Sequence, residues 1–315
     1  MKYLLILLTI AAIAVSCATG KQTSVRETSS IPSYVPPPFN PEYNLTYLRT
    51  LVPDTTIKSP WGISFGIDGT LYVCDRNSSS ILRLDRNGKT LSSFSGFDSR
   101  TERVFLPIDI SVSGGIEVYV LDGADSRVVR FDRNLRNSYA IFRPRDDDKN
   151  LFGVFNGIAL DKISGDFFVT DSDKSSVVRY DLLSRNVRVT GSFGYEKANL
   201  SEPAGIDVAK NGAIYIADKG ARSIAVMQNF GARLSFIGKG FLEAPNDVTV
   251  FQDSLLAVAD RGGIMIMNIE GAPKGIAGYG NGRTVSPRSL AYYDNEIYIS
   301  DAKSDSILVY TIEKK

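Results

Sequence analysis

Six aspartates are the first residues whose type and spacing could carry chemistry: Asp75, Asp122, Asp171, Asp218, Asp260 and Asp301, separated by 47, 49, 47, 42 and 41 residues. A ring of carboxylates could shuttle protons or hold a cation. Their recurrence at every interval argues for a different use, because a catalytic pair is needed once whereas a turn is needed in every repeat. Asp side chains accept hydrogen bonds from backbone N–H groups two residues on, so the six are read as devices that fix strand-to-strand loops. Asp85, Asp132 and Asp181 are read the same way, two of them standing before Arg86-Asn87-Gly88 and Arg133-Asn134. The chain contains no histidine, the usual general base near neutral pH and the commonest zinc ligand. Its two cysteines, Cys17 and Cys74, offer neither a disulfide framework nor a cysteine metal site.

The elements that must position these residues repeat with them. Before each aspartate lies a turn and a short apolar strand, as in Pro203-Ala204-Gly205-Ile206-Asp207-Val208. The aspartate closes a second strand, as in Ile214-Tyr215-Ile216-Ala217-Asp218, and a loop leads to a third, as in Ser223-Ile224-Ala225-Val226-Met227. The runs are short, β-branched and aromatic, and bounded by Gly, Asp, Asn or Pro, which is strand-and-turn grammar. A period of about 40–50 residues built of strands alone predicts an all-β, six-bladed β-propeller of four-stranded blades. Fourth strands are expected at Thr90 to Ser95, Ser138 to Arg143, Val187 to Phe193 and Arg233 to Ile237. The sixth copy ends near Thr311 without one, and the segment Asn44 to Leu51 before the first copy reads as its partner. That pairing would close the ring and remove two open edges. Cys74, whose counterparts are Leu121, Thr170, Ala217, Ala259 and Ser300, is expected to be a small buried filler.

The first 43 residues lie outside the repeats. Met1 to Ser16 combines one lysine with an apolar run from Leu4 to Val15, the pattern of a secretory signal, and the run is short for a membrane-spanning helix. Ala14-Val15-Ser16-Cys17 resembles a bacterial lipobox, with Ala14 where leucine is usual. That resemblance implies a lipid on Cys17, and Ala18 after it implies the outer membrane rather than retention in the inner one. Ala18 to Pro41 is rich in Ser, Thr and Pro and cannot bury a core, so residues 17–43 are expected to form a tether and residues 44–315 the propeller. Lysine and arginine number 36 against 35 acids, a net charge of +1, which favours neither nucleic acid nor an anionic surface.

Pro-x-Gly-Ile, Tyr-Val-x-Asp and Arg-x-Ile-x-Val, carried best by blades one and four over about residues 45 to 311, are similar to the NHL repeat. The resemblance implies a binding platform rather than a particular reaction. Propeller geometry would gather Trp61, Ile108, Asn156, Ala204, Asn246 and Arg288 at the channel mouth, with Asp109 and Asp247 one residue further in. The neighbouring loops would add Arg76, Asn77, Lys174, Lys219, Arg222, Arg261 and Lys303. Trp61, Asp109, Asn156, Asn246, Asp247 and Arg288 are therefore the candidate ligand-binding residues. A lone rim tryptophan supplies contact area at low entropy cost.

The expectation is an exported, lipid-anchored, monomeric envelope propeller that binds a protein or a small polar ligand without catalysis and without a cofactor. Lyases and lactonases of propeller type that act through histidine are poor models for a chain that has none. The alternative is a gluconolactonase-like hydrolase holding Ca2+ through Asn156, Asp109 and Asp247, although no glutamate facing the channel completes that set. Nucleic acid is not expected: single-strand binding wants several aromatics on one face, and only Trp61 is evident.

Overall fold

The computed structural model describes residues 34–96, 102–114, 116–145, 150–191, 199–279 and 285–315. They form six four-stranded antiparallel sheets, with no helix among the described residues. The apolar leader, Cys17 and most of the Pro/Ser/Thr-rich segment lie outside the described residues, as does the end of the strand expected from Val187 to Phe193, which is seen as Val187–Thr190.

Each blade starts on its inner strand: Pro60–Phe65, Pro107–Ser113, Phe155–Leu160, Pro203–Val208, Asp247–Phe251 and Pro287–Tyr293. The second strand returns and ends on the repeated aspartate, which in every blade but the fifth pairs with the first residue of the inner strand, as Pro60 with Asp75 and Pro203 with Asp218. A register shift follows that first pair in blades one to four and six. Such a bulge re-aims the next side chains.

Blade six is completed from the other end of the chain. Tyr43–Leu51 pairs antiparallel with Ser306–Lys314, from Tyr43 opposite Lys314 to Leu51 opposite Ile307. The expected closure is thus found. The outer strand of blade five, Pro273–Gly278, was not legible, because two glycines and a proline in six residues weaken its strand signature. Gly275 has a specific reason to lack a side chain: a Cβ there would stand 2.8 Å from the Tyr43 carbonyl oxygen.

Of the expected tether, Tyr34 and Glu42 bond to the propeller. The Tyr34 hydroxyl donates to the Gly240 carbonyl at 2.9 Å, and its ring meets Tyr279 edge-on at 6.4 Å. Glu42 donates through its N–H to the Lys274 carbonyl at 2.8 Å and accepts from the Lys315 N–H.

The core sits between the blades. Six apolar clusters fill the six interfaces: Tyr72, Cys74 and Ile81 meet Ile110, Val118 and Val120 between blades one and two, and Leu71 and Val73 meet Tyr298 and Val309 where blade six returns to blade one. Cys74 is fully buried and unpaired, and burial pushes its thiol well above the ordinary range. Burying each blade's two faces against its neighbours, with no face left to solvent, is the main stabilising term of such a ring.

Candidate functional site: the cationic channel mouth

The repeated aspartates are buried and bonded as structural clamps. Asp75 accepts from the N–H groups of Lys58 and Ser59, Asp122 from Phe105 and Leu106, Asp218 from Ser201 and Glu202, and Asp260 from Glu243 and Ala244. Local turn bonds are also made, from Ala124 to Asp122 and from Ala221 to Asp218. Each carboxylate therefore fixes the loop that follows it and also the loop that enters the inner strand of its blade, 15 to 18 residues earlier. That second grip holds the residues of the channel mouth in place.

A second set of side chains stitches neighbouring inner strands together. Asp109 accepts from Ile110 N–H at 2.9 Å and from Ile158 N–H of the next blade at 2.7 Å. Asp247 does the same with Val248 and Leu290, both at 2.9 Å. Asp207, which the sequence reading missed, bonds Val208 and Val250. Between blades three and four the Thr170 hydroxyl accepts from Gly157 N–H and donates to the Ala204 carbonyl. Ser300 repeats the device from Ser289 N–H to the Trp61 carbonyl. Asn156 and Asn246 donate their amides to the carbonyls of Pro203 at 3.4 Å and Pro287 at 2.8 Å.

Above these stitches lies a cleft of about 90 Å³, and all six candidate residues line it: Trp61, Asp109, Asn156, Asn246, Asp247 and Arg288. Ile108 and Ala204 line it too, as the strand geometry predicts. Of the loop residues, Lys219 lines the cleft and Arg76 reaches it through Trp61. Arg261 instead turns to Glu243 at 3.3 Å.

The electrostatics of the mouth are unusual. The guanidinium carbons of Arg76 and Arg288 stand over the Trp61 ring, 4.2 and 4.3 Å from its centroid, a cation–π distance. Neither guanidinium, nor Lys219, forms an ion pair with a described residue. Burial lowers Arg288 from its ordinary value, and the charge of Arg76 adds to that shift. Burial lowers Lys219 as well, opposed by Glu202 and reinforced by Arg288. One layer deeper the sign reverses. Burial and the charge of Asp247 push Asp109 well above the carboxylate range, while burial pushes Asp247 up to about 7 against its backbone hydrogen bonds.

The donor set expected for calcium does not fit this arrangement. Asp109 and Asp247 sit on blades two and five, on opposite sides of the ring, with every carboxylate oxygen already bonded to a backbone N–H. Arg288 and Lys219 share their cleft. Among the described residues no three His, Cys, Asp or Glu side chains converge as a metal site.

No family model matches the chain, and no curated protein matches it. Its architecture is similar to solved structures. One is the catalytically inactive H-to-A variant of virginiamycin B lyase from Staphylococcus aureus with quinupristin (TM-score 0.61, 14% identity, 87% of this chain and 88% of that one). A second is a putative gluconolactonase (0.63, 11%, 88% and 94%). A third belongs to a nidogen–laminin complex (0.57, 18%, 85% and 88%). At these identities the likeness is one of fold, shared by enzymes and by a protein of a binding complex.

Proposed function

We propose that this chain is an NHL-type propeller of the bacterial cell envelope that binds, without catalysis, a small polar ligand or a protein loop at its channel mouth. The signal-like leader, the lipobox-like residues before Cys17 and the Ser/Thr/Pro-rich segment support an exported protein held by lipid at the outer membrane. One observation carries the binding reading: a single tryptophan clasped by Arg76 and Arg288, with Lys219 in the same cleft and no acid among the described residues paired to any of the three. A tryptophan flanked by arginines on a rigid rim has the composition of a recognition hot spot. The lyase relative is described as inactive once one histidine becomes alanine, and this chain has no histidine with which to run such chemistry.

The test uses the protein's only tryptophan as its reporter. Fractions of envelope extract are titrated into the mature protein while Trp61 emission is followed, and bound compounds are recovered and weighed by mass spectrometry. The expected result is a compound recovered chemically unchanged and no longer captured by the double variant Trp61→Ala, Arg288→Ala. Turnover of that compound during incubation, or equal capture by the variant, overturns the reading.

A further inference from the structure

We infer that the channel mouth is an oxyanion site, in which Arg76, Arg288 and Lys219 receive a carboxylate or phosphate head group of a small-molecule ligand beside Trp61. The inference rests on the binding reading above and specifies its ligand class.

The argument begins with donors that lack acceptors. A guanidinium held over an indole presents its face to the ring and keeps its N–H groups in its own plane, free for other partners. In Arg76 and Arg288 the Nε is buried and has no acceptor among the described residues. A buried donor left unpaired costs about 1–3 kcal/mol, and more when charged. Native folds keep such groups where something else completes them.

The other described arginines that are buried or half-buried are completed internally. Arg127 meets Asp122 at 3.0 Å, Arg83 meets Asp68 at 2.7 Å and Arg49 meets Glu296 at 3.1 Å. The mouth departs from that habit at three cations together. Its own acids do not serve them: both oxygens of Asp109 and Asp247 are committed to backbone N–H groups one layer down. Glu202 acts on Lys219 from the exposed rim without forming an ion pair.

Geometry and size then select the ligand. Arginine forks match carboxylate and phosphate oxygens two at a time, and lysine adds a point charge. A cleft of about 90 Å³ is well below the ~300–1,000 Å³ that encloses a drug-sized molecule. It therefore takes the anionic head and leaves the rest of the ligand outside. Burial chiefly, and the neighbouring positive charge after it, shift Arg288 and Lys219 away from their charged forms, and an anion bound in the cleft would oppose both effects.

The experiment titrates sodium phosphate and, separately, sodium acetate into the intact mature protein at constant ionic strength, with sodium chloride as the baseline. Trp61 emission and calorimetry are read in parallel. A saturable response to at least one oxyanion is expected, and the two arms distinguish phosphate from carboxylate. Arg76→Gln and Arg288→Gln should each weaken it by at least about tenfold, the loss of one charge-assisted pair. Arg288→Lys, which keeps the charge, should lie between. If a variant fails to fold, competition of phosphate or acetate against the compound captured from envelope extract gives the same answer on wild-type protein. A response no different from chloride, or binding indifferent to both arginines, overturns the inference. Capture of an uncharged compound that still requires Trp61 would overturn it while leaving the binding reading intact.

Discussion

Asp109 and Asp247 reach into the channel from opposite sides of the ring, and each hands one carboxylate oxygen to the inner strand of the following blade, at Ile158 and Leu290. Two acids that might have formed a reactive pair instead hold blade two to blade three and blade five to blade six.

Their burial has a pH signature. Asp247 is pushed from 3.8 up to about 7, so the native state binds its proton more tightly than the unfolded chain does. The contribution of such a group favours folding fully below about pH 4 and is lost as pH rises through about 7. Asp109 and Asp207 shift in the same direction. The stability difference, wild type minus Asp247→Asn, should therefore fall between pH 4 and 7, by up to about 1.4 kcal/mol per pH unit at its steepest. Urea unfolding at several pH values measures it, and a difference that rises with pH would refute the assignment.

Gly205 lies where two inner strands approach closely. A Cβ there would meet Asp247 Cα at 2.6 Å, which is backbone and cannot swing aside. Gly205→Ala should cost about 1–3 kcal/mol by thermal or urea unfolding, whereas Gly212→Ala, where no atom lies within 4 Å, should show only the cost of its positive φ.

Asp218 serves as the clamp of blade four. Asp218→Ala orphans the N–H groups of Ser201, Glu202 and Ala221 and should cost about 2–5 kcal/mol. Hydrogen exchange at Ser201 and Glu202 should accelerate before that of the strands. Unchanged protection at those two amides would show that the loop is held by something else.

The two mouth asparagines should not be equal. Asn246 bonds the Pro287 carbonyl at 2.8 Å, while Asn156 reaches Pro203 only at 3.4 Å. Asn246→Ala should lose about 1 kcal/mol and Asn156→Ala close to none, as read by paired denaturation curves. Equal losses would contradict the geometry.

Much of this was legible in the chain. Blade number, most strands and the closure by Tyr43–Leu51 follow from repeated local grammar, and the inner-strand position alone placed Trp61, Asn156, Asn246 and Arg288 on one rim. What was hidden depends on contacts between distant copies. Nothing local says that Arg76 of blade one and Arg288 of blade six share the Trp61 ring. Nothing local says that Asp218 reaches back to Ser201, because a whole strand intervenes. Asp207 escaped notice because its counterparts in the other blades are Ser64, Ser111, Ala159, Thr249 and Ala291, so no repeat signals it.

The closing strand also sets an order of events. Thr46 and Thr311, bonded side by side in blade six, lie 265 residues apart in the chain. At about 5–20 residues per second, a ribosome finishes Tyr43–Leu51 tens of seconds before its partner exists. The ring therefore cannot close, nor can its last blade be completed, until Ser306–Lys314 has been made as well.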